Sequence, residues 1–167
     1  MVNASHALNY VTANRFYVEI GGSISACFTE CSGLGVTIDP ERIMEGGVND
    51  QQRILLGPAK FSDVTLKRGV TNDLTFWEWI SKALGGTGAR RNVNILVFNQ
   101  AGETMQAWTL IGAVPISWKT PSLTADSNTV AVEELVLAYE GLKVAKSGGG
   151  GASPLSERDG SGFFSSN

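Results

Sequence analysis

The stretch Phe61-Ser-Asp-Val-Thr-Leu-Lys-Arg-Gly-Val-Thr-Asn-Asp-Leu-Thr-Phe-Trp-Glu-Trp-Ile80 changes its hydrophobic period part-way along, and nothing else in the chain constrains the fold as tightly. Val64 and Leu66 alternate with Asp63, Thr65 and Lys67, the period of two that marks a half-buried strand. Gly69 breaks the alternation, and Thr71-Asn72-Asp73 supplies side-chain oxygens able to accept from the exposed N–H groups of a helix start. The spacing then predicts a helix over about 72–84, with Phe76, Trp77, Ile80, Ala83 and Leu84 on one face and Gly85-Gly86 as its stop. Trp79 falls on the flank of that stripe. It reads either as the rim of a core or as an interface anchor, since tryptophan is favoured at interface hot spots. A helix this apolar needs a sheet to cover.

The rest of the chain supplies strands. Residues 14–20 place Phe16, Val18 and Ile20 on one side and Arg15, Tyr17 and Glu19 on the other; 24–31 reads as a second strand. Residues 41–56, with Glu45-Gly-Gly-Val-Asn-Asp50 in the middle, read as a long hairpin arm with a polar tip. Val93, Ile95 and Val97 alternate with Asn94, Leu96 and Phe98, and Asn99-Gln-Ala-Gly102 turns into another strand. Residues 111–119 continue extended, with Pro115 implying a bend or an edge. In the last strand, 129–140, Leu135, Leu137 and Tyr139 face one way and Glu134, Val136, Ala138 and Glu140 the other. Twenty glycines in 167 residues suit a turn-rich β design, and 43% hydrophobic content suffices for one core. The expected architecture is mainly β: a small antiparallel β-barrel or sandwich over 14–145 with one flanking helix. An N-terminal arm (1–13) precedes it, and a flexible Gly/Ser-rich tail (146–167) follows. Phe163-Phe164 in that tail reads as solvated or as a docking peptide.

Chemistry is hard to find. A formal net charge of -3 argues against the basic stripe of a nucleic-acid binder. With His6 the lone histidine, a Ser-His-Asp or Cys-His set has little support. Cys27 and Cys31 would sit roughly 13 Å apart on a strand, too far to bridge each other, and with His6 they make a poor zinc set. Gly85-Gly-Thr-Gly88 lacks the Lys-Ser/Thr of a phosphate loop, and Glu133-Glu134 would point to opposite faces of a strand. No catalytic, cofactor or metal residues are therefore expected. No apolar run reaches the roughly 20 residues of a membrane span, so no stable membrane insertion is expected. The first residues lack a signal-peptide pattern, which points to synthesis and assembly in the cytoplasm. Surplus strand edge and surplus aromatic surface remain, and they invite pairing between copies. A monomeric ligand-binding β-barrel is the alternative from another class, and an enzyme comes last.

Taken in order, Ala26-Cys-Phe-Thr-Glu-Cys-Ser-Gly-Leu34, Glu45-Gly-Gly, Val64-Thr-Leu-Lys-Arg-Gly-Val-Thr71 with its Trp-x-Trp helix, Arg90-Arg-Asn-Val-Asn-Ile-Leu-Val97, Pro115-Ile-Ser-Trp118 and Asn128-Thr-Val-Ala-Val-Glu-Glu-Leu-Val-Leu-Ala-Tyr-Glu-Gly-Leu142 resemble the tail tube proteins of contractile phages. The resemblance spans about 14–145 and is nearest to the version in phage-like extracellular contractile injection systems, related in fold to the hemolysin-coregulated protein of type VI secretion. Cys31 stands where that family often has an aliphatic residue, Ile111-Gly-Ala-Val is less aromatic than its pattern, and the tail lies outside it. The resemblance implies a hexameric ring whose copies stack into a hollow tube inside a contractile sheath. Baseplate hub, spike and tape-measure proteins would be further partners, and protein or DNA the lumen cargo. A tube-initiating ring at the baseplate hub is the alternative within the class. Glu45, Gly46, Gly47, Val48 and Asn49 of the arm become the expected assembly contacts, together with Trp79. Lys67, Arg68, Arg90 and Arg91 are expected either to pair with a neighbour or the sheath or simply to keep the surface soluble. Glu19, Glu134 and Glu140 are the candidate lumen residues.

Overall fold

Ten strands and one helix follow from these patterns in a computed structural model that describes residues 16–146 except 26, 27, 45, 48–50, 88, 89, 100 and 127. The elements run β1 (Phe16–Ile20), β2 (Ser23–Ser25), β3 (Phe28–Ser32), β4 (Val36–Met44), β5 (Gln52–Phe61), β6 (Val64–Gly69), α1 (Thr75–Leu84), β7 (Arg91–Phe98), β8 (Thr104–Lys119), β9 (Val132–Ala138) and β10 (Gly141–Lys146). The expected arm at 1–13 and nearly all of the tail at 146–167 lie outside the described residues, as do Cys27, Glu45, Val48 and Asn49.

One antiparallel sheet runs in the order β2-β1-β7-β8-β9-β6-β3, with β10 added against β8. Its two ends are consecutive in sequence: Ser25 closes β2 and Phe28 opens β3. Three residues span at most about 11 Å, so the sheet must curl until its ends approach each other. The strand expected at 24–31 is therefore two strands. Its first part pairs with β1 and its second with β6, which makes it the step across the seam of a barrel.

The sharpest bend falls in β8. Its first half pairs with β7 and β10 and its second half with β9. The change occurs at Gly112, whose φ of 62° lies in the left-handed region that L side chains avoid. A Cβ there would also stand 2.7 Å from Glu140 Oε2. Pro115 follows, and the register shifts between it and Ser117, so the bend expected from this proline is present.

Inside the curl the period-two faces meet. Val18 and Ile20, Val64 and Leu66, Val93 and Ile95, Leu110 and Ala113, and Leu135 with Leu137 form one core. The helix adds Phe76 and Trp79 to it. This corrects the expected helical stripe: Phe76, Trp79 and Ala83 turn inward at spacings of three and seven, while Trp77 and Leu84 face out. Asp73 Oδ1 accepts from the Thr75 N–H at 2.9 Å, so an expected capping oxygen is in use, although the helix starts three residues later than predicted. Gly86, with φ of 70°, lies just past its end.

Candidate assembly interface

Strands β4 and β5 form a ribbon of their own, separate from the barrel sheet. Nine residues of β4 reach about 30 Å, and the turn at their end uses Gly47 with φ of 102°. The arm is longer than the expected 41–56, because the pairing starts at the root with Val36 opposite Phe61. Opposed residues of an antiparallel pair point to the same side. Val36, Ile38, Pro40 and Met44 thus share one face with Ile54, Leu56 and Phe61, with Arg42 and Gln52 among them. Thr37, Asp39, Glu41, Arg53 and Lys60 share the other with the exposed Ile43 and Leu55, and there Lys60 and Asp39 form an ion pair.

Every residue of this ribbon except Phe61 is exposed, and Leu56 retains 73% of its surface. An isolated two-stranded hairpin is marginal in water, and a contiguous apolar face of this extent marks a contact surface. The root is tied to the barrel by Phe61 against Tyr139 (5.4 Å between ring centres) and by the Tyr139 hydroxyl, which donates to the Gly35 carbonyl at 3.1 Å. Gly46 and Gly47 form the described part of the tip.

A second exposed apolar surface lies on the outside of α1. Leu74, Trp77 and Leu84 fall at spacings of three and ten and all are exposed. Trp77 packs on Trp118 at 5.2 Å between ring centres. Trp118 is held from beneath, since its Nε1–H donates to Glu133 Oε2 at 3.0 Å. The other oxygen of Glu133 accepts from Arg68 Nε at 2.5 Å. Arg68 also donates to Asp73 Oδ2 (2.8 Å) and to the Asp73 carbonyl (2.7 Å), and its guanidinium lies 4.0 Å from the centre of the Phe76 ring. This one buried cation ties β6, β9 and the start of the helix together.

The T4-like virus tail tube protein gp19 family profile matches residues 12–143. The chain belongs to that family. A search of curated proteins finds no significant match. Among solved structures, this tail tube chain is similar to one from a PVC extracellular contractile injection system sheath-tube complex in the extended state. The TM-score is 0.76 and the identity 25%, over 84% of this chain and 95% of that one. A chain of the anti-feeding prophage baseplate gives 0.73 and 26%, over 82% and 96%. Hcp1 from Salmonella typhimurium, at 10% identity and a TM-score of 0.52 over 78% and 85%, shares the fold alone.

Three site residues expected from the sequence lie elsewhere than expected. Trp79 is fully buried in the core, with the Arg91 guanidinium 5.2 Å from its ring centre, so it cannot anchor an interface. Arg68 is 3% exposed and belongs to the cluster just described. Glu19 is 1% exposed and accepts from Asn94 Nδ2 at 3.2 Å, so it faces no lumen in this chain. Asn94 in turn accepts from the Thr109 hydroxyl at 2.7 Å, which makes a polar row across β1, β7 and β8.

The other charges are at the surface. Lys67 donates to both oxygens of Glu30 at 3.1 Å across β6 and β3, which lowers the Glu30 pKa. Arg90 pairs with Glu140 at 2.7 Å, both well exposed, and Lys119 lies 3.4 Å from Glu134. Glu133 and Trp77 were missed as functional residues. Period two places both Arg68, after Val64 and Leu66, and Glu133, before Leu135 and Leu137, on inward faces, so their meeting had a signal. Trp77 had none, because a short helix with two tryptophans two residues apart leaves open which one turns inward. Among the described residues no group of three or more His, Cys, Asp or Glu side chains could hold a metal, and no helix is long and apolar enough to cross a membrane.

Proposed function

We propose that this tail tube protein is the inner tube subunit of a phage-like contractile injection system. Six copies close a ring, and rings stack into a hollow conduit inside a contractile sheath. The observation that carries this reading is the arm: a ribbon with an apolar face and no core of its own needs another copy to cover it. A ring closes by head-to-tail contacts, and the same kind of contact left open along the axis grows a filament. The PVC chain at 25% identity comes from a sheath-tube complex and the prophage chain from a baseplate, which supports sheath and baseplate proteins as partners here.

The outer face of α1 is the surface offered to the sheath. Trp77 is its anchor, in the place the sequence reading gave to Trp79. Glu134 and Glu140 stay candidates for a polar lumen wall that lets protein or DNA cargo pass. Arg90 stays a candidate surface contact, and Arg91 is half-buried against Trp79. The domain runs over 14–145.

Sedimentation tests the reading directly. The wild-type protein is expected as rings and tubes, seen also by negative-stain microscopy. A double variant, Ile54→Asp with Leu56→Asp, is expected to sediment as a monomer with an unchanged circular dichroism spectrum. Rings without tubes would identify a tube-initiating ring. A wild-type protein that stays monomeric at high concentration would remove the proposal.

A further inference from the structure

Among the described residues the barrel seam is closed at one end only. β2 covers β1 from Val18 to Ile20, but Phe16 and Tyr17 pair only with β7 among the described residues, and β3 pairs only with β6. Between these two free edges lies a groove of about 590 Å³. Phe16, Leu34, Ile95, Val97 and Trp108 line it, Cys31 stands in its wall, and Glu30 sits among its lining with Thr29 and Ser32. Its volume lies within the roughly 300–1,000 Å³ of pockets that bury a ligand. The chain's own arm does not fill it, since the ribbon leaves at Val36, two residues past Leu34, and is exposed along its length.

We propose that this seam groove is the socket for the arm of a second copy, which inserts the Ile54 and Leu56 region of its apolar face and brings Arg42 to Glu30. The inference rests on the tube reading above and adds to it the place where the arm is received. Two features of the molecule favour this occupant. Among the described residues the arm has an unmatched apolar face and two unpaired strand edges, and the groove has an apolar lining between two unpaired strand edges, so each completes the other by strand addition. The charges also match: Arg42 lies opposite Ile54 on the mainly apolar face, and Glu30, the carboxylate among the groove's lining, keeps 48% of its side-chain surface exposed beside its own Lys67. Each copy has one arm and one socket at different places, so the contact is head-to-tail and does not stop at a dimer.

Cys31 makes the contact testable. In a Cys27→Ser background, Met44→Cys, Ile54→Cys or Leu56→Cys is introduced singly, and the assembled protein is oxidised under mildly alkaline conditions. At least one of the three is expected to link to Cys31 of another copy and give a ladder of dimer, trimer and higher species on a non-reducing gel. The ladder should vanish when Cys31→Ser is added. Protein that sediments as assembled but gives no ladder from any of the three overturns the socket and leaves the tube reading standing. Protein that remains monomeric in the Cys27→Ser background and in the wild type overturns the tube reading first, and the socket with it. Charge reversal provides a second route that does not depend on thiols. Glu30→Arg and Arg42→Glu are each expected to raise the critical concentration for assembly about tenfold, and the double variant to restore it. Failure of the double variant to restore assembly counts against the socket.

Discussion

Arg68 shows how one side chain decides what a surface can do. Its charge is buried among Glu133, Asp73 and the Phe76 ring, and removing one partner of a buried pair leaves the other uncompensated. Arg68→Ala is expected to destabilise the monomer by about 3–5 kcal/mol in urea unfolding. The Trp77 surface should loosen with it, because Glu133 would lose the cation that fixes the carboxylate under Trp118. The two neighbouring tryptophans should separate in experiment. Trp79→Ala should cost about 3–5 kcal/mol of monomer stability. Trp77→Ala should leave the unfolding midpoint nearly unchanged and weaken binding to the sheath in a pull-down. Asp73 adds a pH dependence. Hydrogen bonds from the Thr75 hydroxyl and N–H, then Arg68, outweigh burial and lower its pKa from the ordinary 3.8. Its folded value lies below its unfolded one, so this contribution is complete above 3.8 and is lost as the pH falls through the folded value. Asp73→Asn should remove that part of the acid sensitivity in a urea series.

At the scale of elements, the arm and the bent β8 play opposite parts. β8 makes the barrel self-sufficient at one place: its corner at Gly112 lets a single strand serve both halves of the sheet. Gly112→Val forces an L side chain into the left-handed region and should cost about 1–2 kcal/mol in denaturant unfolding, with assembly following stability. The arm is exposed and rooted only at its base, so changes in it should act the other way round. Bulky residues in place of Gly46 and Gly47 should leave the monomer folded and block stacking, and normal tubes by negative-stain microscopy would contradict this. Cys31 gives a quieter check on the groove wall beside the arm root. Burial first, and Glu30 second, push its thiol up to about 11, so alkylation of the free chain at neutral pH should be slow compared with an exposed thiol.

For the whole molecule, the core and the interface are different sets of residues. The buried cluster drawn from β1, β6, β7, β8, β9 and α1 is complete within the chain, so a folded monomer is expected when assembly is blocked. The arm and the outside of α1 lie outside that cluster, and the seam groove borders it through Ile95. Mutations should therefore sort into two groups, one moving the unfolding midpoint and the other moving the sedimentation profile.

The sequence alone determined the periods: strands of alternating apolar residues, one short helix and a projecting arm between glycines. It also determined the family, because the pattern runs in order along nearly the whole domain. Only the tertiary structure decided where the polar and aromatic exceptions go. Glu19, Arg68 and Trp79 look like surface residues when judged by type or by an even helical stripe, and all three are buried. The physical reason is that period states which residues share a face, while the partner that covers the face comes from elsewhere in the chain. Arg68 turns inward because Glu133 waits 65 residues away, and the strand at 24–31 divides because the two edges it joins are brought together only when the whole sheet curls.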